Sequence, residues 1–287
     1  MLIGAHLSVA GGYRATVEYA LEVGAECMQV FAKSPRQWNA KPLDPDAAAQ
    51  FVSARAEAGL GPLFTHTAYL INLSTDDPEL SERSSLALAD ELVRGALLGA
   101  AGVVTHVGND PLDDARAAAA RAGAAIERAF ELAGPAARQT RLLLENTAGA
   151  GRSFGSDFTQ LGWLLGELSA QTCAHVGVCL DTCHAHAFGT DLSDGPAWER
   201  LLDHIDQTCG PGSLGAVHAN DCKFARGERK DRHEWIGRGF LGDEAFREML
   251  CAARLADVPA ITEMPGDVPE KELVNLGKLK ELRDTCR

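Results

Sequence analysis

Histidine, aspartate and glutamate close a series of short apolar runs in this 287-residue chain: His6, His66, His106, Glu145, Asp181, His218 and Glu263. Imidazole nitrogen and carboxylate oxygen are the donors of zinc sites, with manganese or iron as the alternatives. They do not suit an iron-sulfur cluster or a calcium cage. One histidine at a strand end is ordinarily a hydrogen-bonded structural residue. Seven polar strand ends are harder to assign to packing, because burying each unpaired would cost on the order of 2 to 7 kcal/mol. Carboxylates also bridge metals, so a multinuclear site is feasible. No thiolate stands in register: Cys179 and Cys183 lack a second pair and read as small buried residues.

The elements that must position these residues follow from periodicity. Candidate strands run from Leu2 to His6, Cys27 to Phe31, Pro62 to His66, Gly102 to His106, Arg141 to Glu145, Val176 to Asp181, Gly215 to His218 and Pro259 to Glu263. Helix-type spacing lies between them. From Leu80 to Ala100, for example, Leu86, Ala89, Leu92, Val93, Ala96 and Leu97 are expected to share one buried face. Eight strand-helix alternations predict a closed (β/α)8 barrel, read as one domain over residues 1–287. All eight strands of such a barrel open onto the same face at their C-terminal ends, so residues far apart in sequence converge there.

Hydrophobic residues make up 46% of the chain and charged residues 23%, which suits a folded protein with a large core. No stretch reaches membrane-span length, and the first residues carry no signal-like pattern. The eight scattered cysteines are expected to be reduced thiols in a cytoplasmic protein. A formal charge of -13 argues against binding nucleic acid by bulk charge. Three divalent cations on four carboxylates would reverse that sign locally.

Longer motifs join these residues. They are Gly4-Ala5-His6-x-Ser8 with Gly11-Gly12, His66-x-x-Tyr69-Leu70-Ile71-Asn72-Leu73 and Leu144-Glu145-Asn146-Thr147-Ala148-Gly149-x-Gly151. Further on come Gly177-Val178-Cys179-Leu180-Asp181-Thr182-Cys183-His184-Ala185, His218-x-Asn220-Asp221 and Asp231-Arg232-His233-Glu234-x-Ile236-Gly237. Over essentially its whole length the chain resembles the endonuclease IV family of apurinic/apyrimidinic endonucleases. The resemblance implies a xylose isomerase-like TIM barrel and a DNA-repair enzyme that hydrolyses the phosphodiester 5′ to an abasic site in duplex DNA. The ends left would be a 3′-hydroxyl and a 5′-deoxyribose phosphate. It also implies three zinc ions, with manganese admissible at one position. His66, His106 and Glu145 would hold the first. Glu145, as bridge and catalytic carboxylate, would hold the second with Asp181, His218 and Glu263, and His184, Asp231 and His233 would hold the third.

By the same resemblance Arg36, Gln37, Tyr69 and Leu70 would enter the duplex at the lesion, while Lys223 and Arg232 belong to a local cationic excess fit for backbone phosphate contacts. An apolar wedge holds open a step that a missing base has already weakened. Lys33, Arg226, Arg229 and Lys230 would add cationic charge near that face, while Trp38, Tyr69 and Leu70 have the plainer alternative of packing the barrel rim. His6 is left as a neighbour of the ligands or a phosphate contact. Two departures stand out: His106-Val107-Gly108 where the family has His-Pro-Gly, implying a less rigid turn, and Glu263-Met264 where it commonly has Glu-Thr. Two other readings stay open. A sugar isomerase on the same barrel would hold one or two metals and has no evident need of Asp231 and His233. A non-catalytic damaged-DNA or zinc-binding protein would favour closed sites over an open barrel face. A monomer is the expected state.

Overall fold

A strand turns alternate side chains to opposite faces, and in the computed structural model of this chain that alternation decides what fills the barrel. The structure describes residues 1–266, 268 and 270–286. The strands are β1 (Ile3–Leu7), β2 (Cys27–Phe31), β3 (Leu63–His66), β4 (Gly102–His106), β5 (Arg141–Glu145), β6 (Val176–Asp181), β7 (Leu214–His218), β8 (Asp221–Cys222), β9 (His233–Glu234) and β10 (Ala260–Thr262). All but β8 and β9 close, in parallel, in the order β1-β10-β7-β6-β5-β4-β3-β2. β8 and β9 form a separate antiparallel pair with Cys222 opposite His233.

One inward residue from each of seven strands forms the plug: Cys27, Phe64, Val104, Leu143, Cys179, Ala216 and Ile261. Two positions further along the chain from each come Gln29, His66, His106, Glu145, Asp181, His218 and, just past the end of β10, Glu263. The apolar plug is therefore the floor on which the polar layer stands. β1 contributes Gly4 below His6, and no side chain fits there: a Cβ would lie 2.0 Å from the Cys27 carbonyl oxygen.

The helices are α1 (Tyr13–Glu22), α2 (Pro45–Glu57), α3 (Pro78–Leu97), α4 (Ala115–Ala133), α5 (Phe158–Gly166), α6 (Ala170–Cys173), α7 (Thr182–Phe188), α8 (Gly195–Cys209), α9 (Gly242–Cys251) and α10 (Lys271–Asp284). Side-chain caps start α2 through α8: Asp44, Asp77, Asp114, Asp157, Ser169, Asp181 and Asp194 each accept a backbone N–H. Such a cap contributes about 1 kcal/mol. The outer core lies between helices and strands, where Leu92, Phe130, Leu161, Trp198, Phe246 and Leu279 are buried. Among the described residues no helix is long and apolar enough to cross a membrane.

Most strand bounds differ from the sequence expectation by no more than one residue, and two of those differences matter. β1 continues to Leu7, because His6 and Leu7 still pair with Gln29 and Val30. His6 is therefore inside the ladder and not its last residue. β10 stops at Thr262, since the Glu263 N–H turns to Asn220 Oδ1 at 2.8 Å. In α3 the expected face is rotated: Leu86 and Leu97 are exposed, whereas Ser84, Leu88, Glu91, Leu92 and Gly95 face inward. Small and charged residues take that face because the backbone comes close, a Cβ at Gly95 meeting Val103 at 2.6 Å. The expectation of eight thiols is also corrected, for Cys251 and Cys286 form a disulfide. Helices α9 and α10 pack side by side and bring the two Cα atoms to 5.2 Å, a pairing that a separation of 35 residues does not reveal.

That bond cross-links the C-terminal helix, so reduction is expected to lower stability by about 2–4 kcal/mol. A urea midpoint unchanged by reductant, or by Cys251→Ser, would show that the bridge contributes nothing.

Candidate metal centre

The nine side chains singled out as metal ligands meet at the C-terminal mouth of the barrel. Three groups bring one donor atom per residue within 4.8 Å of each other: His66, His106 and Glu145; Glu145, Asp181, His218 and Glu263; and His184, Asp231 and His233. Glu145 belongs to two of them. Its Oε2 lies 3.1 Å from His66 Nε2 and 3.5 Å from His106 Nε2, while its Oε1 lies 3.1 Å from His218 Nδ1 and 3.3 Å from His184 Nδ1. The two oxygens thus face different imidazoles, as a bridging carboxylate must.

Local structure fixes these positions before any cation is considered. Asp181 ends β6 and caps α7 through its Oδ1, which accepts the His184 N–H at 2.7 Å. One cap therefore sets two of the donors. Asn146 accepts the Asp181 N–H at 2.7 Å and donates to the Asp181 carbonyl at 3.1 Å. Asn220 donates to Asp181 Oδ2 at 2.6 Å and accepts from Glu263 N, so it ties β6 to β10. The loop that brings in Asp231 and His233 is held by buried Asp221, whose carboxylate accepts N–H groups from Cys222, Gly237, Gly239 and Leu241.

The rings are oriented as ligands need to be. Carbonyl oxygens only accept, so the Nδ1 atoms of His66, His184 and His233 carry hydrogen toward Thr67, Asn146 and Glu263, each at 2.9 Å. That turns each Nε2 toward the cup, where it offers a lone pair once the ring is neutral. Among the described residues the buried Nε2 of His233 has no hydrogen-bond partner. This donor set, imidazole and carboxylate with the rings' outer nitrogens already engaged, fits zinc. Cys183 also brings its sulfur within 4.8 Å of Asp181 and His233, but the thiol is buried and donates to the Arg232 carbonyl at 3.6 Å.

Charge governs the behaviour of the cup. Burial pushes the Glu145 carboxyl up, yet the imidazoles of His106, His218 and His184 hold it well below the ordinary range. Glu263 is likewise held well down, against burial, by His218 and His6. Asp231 falls to about 2, its burial outweighed by His184 and His233. Burial works against protonated His184 and His218, but Asp181, Asp231 and Glu145 raise the first and Cys179, Glu263 and Glu145 the second, both well above the usual value. Burial prevails at His106 and His6, which are lowered. Protons here do what cations would do, and a cation must displace them.

Two positioning residues are not apparent from strand ends alone. Gln29 is fully buried in the middle of β2; its Nε2 donates to Glu263 Oε1 at 2.9 Å and its Oε1 accepts from His218 Nε2 at 3.0 Å. The sequence signal is a single amide inside the apolar run Cys27-Met28-Gln29-Val30-Phe31. His6 directs Nδ1 to Glu263 Oε1 at 2.8 Å and lies tilted against Phe31, which places it behind a ligand-type carboxylate.

The cup opens into a cleft of 1230 Å³ lined by His6, His233, Glu263, Arg36 and Tyr69 among others. Tyr69 is 62% exposed, and its ring meets Phe31 edge-on. Gln37, Lys223 and Arg232 are exposed and Leu70 half-buried, and none of the four lines the cleft. Trp38 does pack the rim, under Arg83. The expected cationic excess is smaller than the sequence suggests. Lys33 is buried against Asp90 and Glu91, Arg226 pairs with Asp191, and Lys230 pairs with Glu228. The Val107-Gly108 turn is well held, with Leu73 and Phe154 donating to its two carbonyls.

A closed barrel with a polyhistidine, polycarboxylate mouth defines a class, and residues 17–282 match the family described as xylose isomerase-like TIM barrel. Proteins named probable endonuclease 4 are similar over nearly the whole chain. That of Methanoculleus marisnigri is 40% identical, with 98% of this chain and 99% of that protein covered. That of Oleidesulfovibrio alaskensis is 41% identical, with coverages of 98% and 95%. The crystal structure of endonuclease IV from Thermus thermophilus superposes with a TM-score of 0.87 at 36% identity, covering 99% of both chains. This chain belongs to the endonuclease IV family. A D-tagatose 3-epimerase-like protein shares the fold alone, with a TM-score of 0.72 at 15% identity over 99% of this chain and 97% of that one.

Gln29→Leu keeps the volume but leaves the His218 N–H without its acceptor and removes one of the donors to Glu263 Oε1. Zinc affinity, read by competition with a chromogenic chelator, is expected to fall about 10- to 100-fold; an unchanged affinity would remove Gln29 from the site.

Proposed function

We propose that this protein is a zinc-dependent DNA-repair endonuclease that hydrolyses the phosphodiester 5′ to an abasic site, leaving a 3′-hydroxyl and a 5′-deoxyribose phosphate. The observation that carries the reading is Glu145, with its two oxygens turned to two different sets of imidazoles in an endonuclease IV family member. Residues 1–287 act as one barrel domain, and the protein works as a cytoplasmic monomer in base excision repair.

His66, His106 and Glu145 would hold one zinc, Glu145, Asp181, His218 and Glu263 a second, and His184, Asp231 and His233 a third, with manganese admissible in one position. Zinc supplies charge neutralisation at the phosphate and lowers the pKa of water from near 16 to about 7. The chain's own residues do the rest. Glu145 orients the attacking water, and its depressed pKa keeps it an acceptor. Asp231 and His233 come from a loop pinned by Asp221, which brings them beside His184 to complete the third group. Arg36, Gln37, Tyr69 and Leu70 enter the duplex, and exposed Tyr69 offers the wedge. Lys223 and Arg232 contact backbone phosphates. The net negative charge of the chain is offset at the one place where DNA must approach.

A duplex carrying one abasic site is expected to be nicked by zinc-loaded protein and spared after chelation. Glu145→Gln should lower kcat by more than about 100-fold while abasic DNA is still bound. Robust nicking by Glu145→Gln, or nicking undiminished by chelator, would contradict the reading.

A further inference from the structure

Lys33 reads in the sequence as part of a cationic excess, but although it stands in the wall of the cleft its side chain is only 2% exposed and its Nζ is engaged by α3. Its Nζ lies 2.8 Å from Asp90 Oδ2 and 3.6 Å from Glu91 Oε1. Glu91 is fully buried, and the same Oε1 accepts the Ala68 N–H at 3.3 Å. Asp90 is shared with Arg94, which donates onward to the Lys41 carbonyl at 2.6 Å. The two loops are joined directly as well, the Tyr69 N–H donating to the Pro35 carbonyl at 3.1 Å.

These contacts converge on two short segments. Lys33 and Lys41 bound the stretch that carries Arg36 and Gln37, and Ala68 immediately precedes Tyr69 and Leu70. A buried cation and carboxylate are costly unless their geometry is useful, since apolar side chains of similar volume often serve stability as well or better. We propose that the buried Lys33–Glu91 pair is a positioning strut that sets the spacing of the Arg36–Gln37 and Tyr69–Leu70 loops for a duplex opened at an abasic site. The strut rests on the functional reading above and extends it: the pair touches no DNA, and it acts by fixing the residues that do. A wedge displaced by an ångström no longer meets the unstacked step, so substrate capture suffers before chemistry does.

The test uses zinc-loaded protein and a duplex with one tetrahydrofuran abasic analogue. Removing one partner alone would strand a buried charge, so both are changed together. In K33M/E91L, KM is expected to rise at least tenfold with kcat within threefold of the wild type. K33M/E91Q restores an acceptor for Ala68 N–H and should recover at least threefold of that loss; it also serves if K33M/E91L does not fold, then read directly against the wild type for a raised KM. Backbone exchange reads the strut without activity, the Ala68 and Tyr69 amides exchanging at least tenfold faster in K33M/E91L. A wild-type KM in folded variants, a kcat that drops as far as KM rises, or unchanged exchange overturns the strut. Accelerated exchange in a protein whose wild type never nicks abasic DNA overturns instead the functional reading and, with it, the purpose assigned to the strut.

Discussion

Buried carboxylates in a ring of imidazoles are the constraint on which the rest of the molecule turns. Glu145, Asp181 and Glu263 lie at the end of a barrel filled below by an apolar plug, and Asp231 closes the cup from a loop above. The two deepest of these charges, Glu145 and Asp181, are fully enclosed and cannot be left uncompensated. Without cations the compensation comes from protons on His184 and His218, which the surrounding acids hold well above their ordinary affinity. That arrangement is a site built for positive charge.

Much of the fold can be understood as support for that cup. Period-two alternation puts Leu143 under Glu145, Val104 under His106 and Ile261 under Glu263, so the packing of the floor sets the height of the donors. Helix capping is used a second time as ligand geometry, since the cap of α7 is Asp181 and the N–H it accepts belongs to His184. Amides do the cross-bracing: Asn220 and Gln29 each connect donors from different strands, and Asn146 clamps the Asp181 backbone beside Glu145. Asp221 performs the same service for the long loop, where Gly239 is required because a Cβ would sit 2.4 Å from its carboxylate. Farther out, ion pairs that look like surface charge in the sequence turn inward to hold loops.

The barrel is legible in the sequence because each strand is a short apolar run ending in a polar residue, and both signals are local. Most strand bounds hold to within a residue for that reason. The ends of β1 and β10 are not legible, since they depend on what the neighbouring strand and Asn220 offer to the backbone. The inward face of α3 escapes the periodicity because Ser84, Glu91 and Gly95 take positions that hydrophobic spacing reserves for leucine. The nine candidate donors can be named from motif resemblance, but the roles of Gln29 and Lys33 cannot, because a lone amide or lysine carries no signal of its partner. The Cys251–Cys286 bridge is hidden for the same reason, as it joins helices that meet only in three dimensions.

The central claim, that one cup gathers three cations around Glu145, is tested most directly by anomalous diffraction at the zinc edge from crystals grown with zinc. Three peaks are predicted at the barrel mouth, two of them on opposite oxygens of Glu145 and the third between His184, Asp231 and His233. A single peak, or zinc bound only at Cys183 or elsewhere on the surface, would contradict the account.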